Sequence, residues 1–99
     1  MVLAMKAVLI VFNQALSDQV LAELRRLHVK GFTKWDGLRG EGSRDGYPHL
    51  GSHAWPALNS AYLVITGDES AREIRERMES LDAQRPQQGL RVFSWTVDE

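Results

Sequence analysis

Residues 61–66 read AYLVIT, and a matching stretch, AVLIVF, occupies residues 7–12. Both are short, rich in β-branched residues and apolar at odd and even positions alike. That is the pattern of a strand covered on both faces rather than one with a wet side. After the first stretch the apolar spacing changes: Leu16, Val20, Leu21, Leu24 and Leu27 form one stripe of a helix. Ser17 or Asp18 stands where a cap is wanted, Arg25, Arg26 and His28 suit the last turn, and Gly31 is placed to end it. After the second stretch, Ala71, Ile74, Met78 and Leu81 make another helical stripe. Asp68 or Ser70 offers its cap, with Ser70 and Glu73 at capping-box spacing. Glu73–Arg77 and Arg72–Glu76 place opposite charges one turn apart on its solvated side. FTKWDGL at 32–38 and LRVFSWTV at 90–97 read as two further strands, and AQRPQQG at 83–89 as a linker.

The resulting order is strand, helix, strand, long loop, strand, helix, strand. This predicts an α+β, ferredoxin-like βαββαβ fold, a four-stranded antiparallel sheet with two helices on one face. Two helices cover one face only, whereas residues 7–12 and 61–65 are apolar on both. The uncovered face therefore needs a partner, and a second copy of the chain is the economical one, so a homo-oligomer is expected.

Composition narrows the function. The chain has 99 residues, enough for one domain spanning 1–99, with 43% hydrophobic and 25% charged residues, as in ordinary globular proteins. Twelve basic against 13 acidic side chains give a net charge of −1, without the basic footprint of a nucleic-acid binder. With no cysteine there is no disulfide, thiolate metal site or cysteine nucleophile. The apolar N-terminal run carries one base, Lys6, and is too short for a signal peptide or a membrane span. A cytoplasmic protein, not membrane-embedded, is expected, and Met5 is as good a start as Met1.

Between Arg39 and Ser60 the chain has no sustained period and carries four glycines after residue 39 together with Pro48 and Pro56. Loops of this length are commonly functional. Its tip is rich in glycine and charge, and Trp55, held extended before Pro56, is expected to anchor its far end. GLRGEG at 37–42 lacks the GK[ST] of a phosphate loop and opens no helix, although such backbone beside Arg39 and Arg44 suits an anion. His49 and His53, in HLGSH, with Glu41 or Asp45 as a third ligand, would suit zinc, copper or nickel, but Pro48 and Gly51 argue against the helix that would align them. No HExxH, GxSxG or isolated carboxylate pair occurs. Trp35, Trp55 and Trp95 read as packing or interface residues.

The Lys-led opening strand (6–12), the HVKGFTKWDGLRGEG segment (28–42) and its closing G-x-G at Gly40 and Gly42 resemble the PII signalling superfamily over roughly residues 5–97. The resemblance implies a small trimer with ligand clefts between subunits and a long T-loop that docks onto partner proteins. It points to Thr33, Lys34, Trp35, Arg39, Gly40, Gly42, Gly89 and Arg91 for ligand binding, and to Arg44, Tyr47 and Trp55 for partner or subunit contact. The turn AQRPQQGLR at 83–91 departs from the family's glycine-rich, lysine-bearing phosphate turn, and Tyr47 matches no family motif. The expectation is therefore a divergent, non-enzymatic trimeric regulator. It would take a small ligand, with ATP weak or absent, and a protein partner such as a membrane transporter, and no nucleic acid. Two alternatives are a metal-responsive protein using His49 and His53, and a small enzyme of the dimeric ferredoxin-like barrel type.

Overall fold

The computed structural model describes residues 5–41, 48–49 and 58–98. Its main sheet holds β1 (Met5–Asn13), β2 (Thr33–Leu38), β3 (Asn59–Gly67) and β4 (Arg91–Val97). Their order across the sheet is β2-β3-β1-β4, and every pairing is antiparallel. With α1 (Ser17–Arg26) and α2 (Asp68–Gln84) the order is the βαββαβ read from the sequence. β1 is central and pairs along nine residues with β3.

Alternation along the strands divides the side chains into two layers. Val8, Ile10 and Phe12 face the helices and are fully buried, with Tyr62 and Val64 beside them in register. Leu16, Val20 and Leu24 of the first stripe, and Ala71, Ile74, Met78 and Leu81 of the second, close over them, while Leu21, Leu27 and Val92 pack at the margin. Tyr62 is the largest buried side chain. Its ring stacks on Phe12 at 5.7 Å and meets Phe32 edge-on at 5.0 Å, arrangements that suit the ring quadrupoles. The helices are joined by Arg77 of α2, whose Nε lies 2.7 Å from Glu23 of α1. Arg77 thus pairs across helices, and among the described residues neither the Glu73–Arg77 nor the Arg72–Glu76 pair expected along α2 is closed.

The helix ends differ from their sequence reading. Neither Ser17 nor Asp18 caps α1. The chain enters through a single 3-10 turn, Gln14–Leu16, whose cap is Asn13: its side chain accepts from the Ala15 N–H at 2.9 Å. A short amide reaches the next turn's free donors, so the cap lies a turn earlier than the apolar stripe suggests. α2 follows Gly67 with no side-chain cap, so neither Asp68 nor Ser70 fills that role.

At the far end α1 stops at Arg26, well before Gly31. His28 takes the left-handed conformation (φ +61°). Its N–H donates to Arg25 C=O and that of Val29 to Leu24 C=O, both at 3.0 Å. These two bonds make a Schellman ending with a histidine where glycine is usual, and Val29 packs beside the core. A left-handed L-residue costs roughly 1–2 kcal/mol. His28→Gly should therefore stabilise the fold in urea denaturation by about 0.5–1 kcal/mol, after the entropy glycine adds to the unfolded chain. An unchanged or lower midpoint would show the imidazole makes a compensating contact.

The 39–60 segment was expected to lack regular structure. Within it Gly40–Glu41 and Pro48–His49 form a short antiparallel ribbon, and β3 begins at Asn59. Gly42, Arg44, Tyr47, His53 and Trp55 lie outside the described residues. Residues 83–84 continue α2, and Pro86–Gln88 form a 3-10 turn that ends at Gly89 in the left-handed region (φ +67°).

Candidate ligand and interface site

The second layer of side chains has no helix over it. Register sets it out in rows. One row runs Trp35, Ala61, Val11, Arg91; the next runs Thr33, Leu63, Leu9, Phe93; a third holds Ile65, Ala7 and Trp95. Phe93 is 50%, Ile65 48%, Trp95 46% and Trp35 44% exposed, whereas Ala7 and Ala61 are buried beneath their larger neighbours. The apolar character of the sheet on both sides, legible in residues 7–12 and 61–65, is thus realised as an open apolar face.

The residues expected to bind ligand fall into two groups. Thr33 and Trp35 project from the open face of β2, Arg39 follows that strand exposed, and Gly40 opens the ribbon. Gly89 forms the turn into β4, and Arg91 is the first residue of β4, donating from Nη1 to its own Leu90 C=O at 2.9 Å. β2 and β4 are the two edges of the sheet. Trp35 and Arg91 share a row but stand three strand spacings apart, about 14 Å. One chain therefore does not bring the two groups together. Beside Arg91 a cavity of about 160 Å³ is lined also by Glu79, Asp82, Leu90 and Val92. Asp82 Oδ1 is buried at this edge without a hydrogen-bond partner among the described residues.

Lys34 points to the helix side, its ammonium 5.6 Å above the Tyr62 ring. It also stands 3.4 Å from Asp36, which accepts from Ser60 Oγ at 2.7 Å. The alternation of FTKWDGL puts Lys34 and Asp36 on one side, but nothing in the sequence brings Ser60, 24 positions later, against them. Just beyond, β2 carries one extra residue: Trp35 pairs with Ala61 but Leu38 with Asn59, and Gly37 (φ +69°) absorbs the bulge. The Ser60–Asp36 bond thus ties the end of β2 to β3 beside this bulge, where the 39–60 segment leaves.

The Ser60 hydroxyl, aided by Lys34, holds the Asp36 carboxyl below its ordinary value of 3.8. A lowered folded-state value means the contact stabilises the fold above the unfolded value and loses that contribution as pH falls through the lowered one. In Ser60→Ala the Asp36 titration, followed by carboxyl NMR, should move back up. A titration that stays put would remove the hydroxyl as its cause.

His49 lies in the ribbon by its backbone, and its metal-site partner His53 is outside the described residues. Among the described residues no group of three His, Asp or Glu side chains is placed to hold a metal. No helix among them is long and apolar enough to cross a membrane.

A βαββαβ domain with one bare apolar sheet face and a long excursion between its second and third strands defines a class of ferredoxin-like proteins. Residues 5–99 match the family model of the nitrogen regulatory protein P-II, and the chain belongs to that family. Among solved structures it is similar to a PII-like signalling protein from Thermus thermophilus, at 28% identity and TM-score 0.70, covering 96% of this chain and 88% of that one. It is also similar in fold to CPII from Thiomonas intermedia, a structure bound to ADP and bicarbonate, at 19% identity and TM-score 0.77, covering 95% and 86%. The GlnK–ATP complex of B. subtilis is similar in fold at 12% identity and TM-score 0.66, covering 95% and 82%. No curated protein matches the chain in sequence.

Proposed function

We propose that this chain is a single-domain, non-enzymatic PII-like regulator that acts as a cytoplasmic homotrimer. It takes a small ligand in the clefts between subunits and presents the 39–60 loop, with Arg44, Tyr47 and Trp55, to a partner protein such as a membrane transporter. The observation that carries this reading is the division of the ligand group between the two sheet edges. A head-to-tail arrangement of identical copies closes into a ring and sets the β2 edge of one beside the β4 edge of the next. Thr33, Trp35, Arg39 and Gly40 then face Gly89 and Arg91 of a neighbour, and the orphaned Asp82 oxygen gains a route to a donor.

The test is a thermal-shift screen of adenine nucleotides, bicarbonate and divalent metals, because a ligand bound only to the folded state raises apparent stability. A cleft ligand loses its shift in Trp35→Ala and equally in Arg91→Ala. A shift lost at one edge alone contradicts a shared cleft, and a metal shift lost in a His49→Ala/His53→Ala variant moves the assignment to the metal-responsive alternative.

Mg-ATP is expected to bind weakly, with Kd above ~100 µM. A phosphate cradle needs several free N–H groups converging on the anion. In the turn before β4 the Arg85 N–H is bonded to Leu81 and Asp82 C=O, the Gln88 N–H is bonded to Arg85 C=O, and Pro86 has none. Calorimetry decides this: a Kd near ~1 µM would mean that phosphate is held by another route.

A further inference from the structure

At the opposite end of the sheet from Arg91, and on its helix-covered side, Lys6 lies five positions before Val11 on β1, roughly 17 Å along the strand. It is the one charged residue of that strand, and its side chain is 31% exposed. A cavity of about 330 Å³ opens here between α2 and the ends of β1 and β4, lined by Lys6, Asp68, Ala71, Arg72, Arg75 and Ser94.

The charges around it do not balance. Lys6 donates to Thr96 Oγ1 at 2.9 Å and reaches Asp68 only at 3.9 Å. Arg75 spends one guanidinium N–H on the neutral Ser94 hydroxyl at 3.2 Å. Arg72 is exposed and has no hydrogen bond or ion pair among the described residues. Three cationic side chains thus line the cavity with one carboxylate, Asp68, while Glu73 and Glu76, the acids next to Arg72 and Arg75 along the helix, line a different cavity. Partly desolvated cations that face hydroxyls rather than counter-ions attract an anion more strongly than dispersed surface charges do. Two guanidiniums with free N–H groups also offer the fork geometry that suits a tetrahedral oxyanion.

We propose that Lys6, Arg72 and Arg75 form an oxyanion site of the phosphate class, separate from the inter-subunit cleft and independent of it. Ser94 and Thr96 orient two of its cations, and Asp68 holds Lys6 towards the cavity mouth. Occupancy would bridge the start of α2 to β1 and β4.

The experiment is an amide NMR titration of the full chain with inorganic phosphate, with sodium chloride at matched ionic strength as the reference. Glycerol 3-phosphate is run in parallel. Saturable shifts at Ala71, Arg72 and Ser94, absent with chloride and at least about fivefold weaker in Arg72→Gln, are expected. Arg72→Gln changes an exposed side chain and leaves the fold intact, and Arg75→Gln provides the second variant. Tighter saturation by glycerol 3-phosphate assigns the site to a phosphate ester, and tighter saturation by phosphate to the free ion. Shifts that follow ionic strength alone, or are unchanged in both variants, overturn the proposal.

Discussion

Phe93→Glu is expected to convert the assembly to monomers at micromolar concentration while leaving each chain folded. Phe93 ends its row on the open face, beside Leu9, and is half exposed in the single chain. In the monomer a glutamate there meets water and costs little. In an assembly that covers the face, the same carboxylate is taken out of water beside Leu9 and Trp95, while the nearest cation of its own chain, Arg91 one row away, already donates to the Leu90 carbonyl. An unpaired buried charge costs several kcal/mol, and each ~1.4 kcal/mol is a factor of ten in association. Because the substitution recurs in every subunit, the association constant should fall by several orders of magnitude. Sedimentation should show a single slow species, with far-UV circular dichroism unchanged. Retention of the wild-type mass would mean that this face is not the one covered.

Phe12→Ala should have the opposite signature. Phe12 is the same residue type on a neighbouring strand of the same sheet, but it faces the helices, is fully buried and stacks on Tyr62. Removing the ring leaves a cavity among Tyr62, Leu16 and the two helices, which cannot close without moving the sheet. The expected loss is ~3–5 kcal/mol of folding stability, against ~5–15 kcal/mol for a whole domain of this kind. Chemical denaturation should show an early transition, and any assembly should dissociate only as the chain unfolds. A loss below ~1 kcal/mol would show that the core repacks around the gap.

These two phenylalanines show how far the sequence can be read. Periodicity placed both on strands and placed Val20, Leu24, Ile74 and Met78 on the buried stripes of two helices, because burial on one side leaves a repeat that any window detects. It also showed that β1 and β3 are apolar on both sides, which predicts an open face. It did not reveal that Trp35 and Arg91 sit on opposite edges, because strand order across a sheet is not a local property of either strand. The end of α1 was misplaced at Gly31 because the left-handed residue is a histidine, and its role depends on backbone bonds to Leu24 and Arg25 rather than on residue type. The Ser60–Asp36 contact and the Lys6–Arg72–Arg75 cluster were missed for a related reason. Each joins residues from separate elements that only the folded sheet brings together.

The central claim, that identical chains close over the helix-free sheet face, is tested most directly by multi-angle light scattering of the purified protein at micromolar concentration. One species at three times the chain mass is expected. A monomer would contradict it outright, and a dimer would contradict the ring and favour the barrel-type alternative.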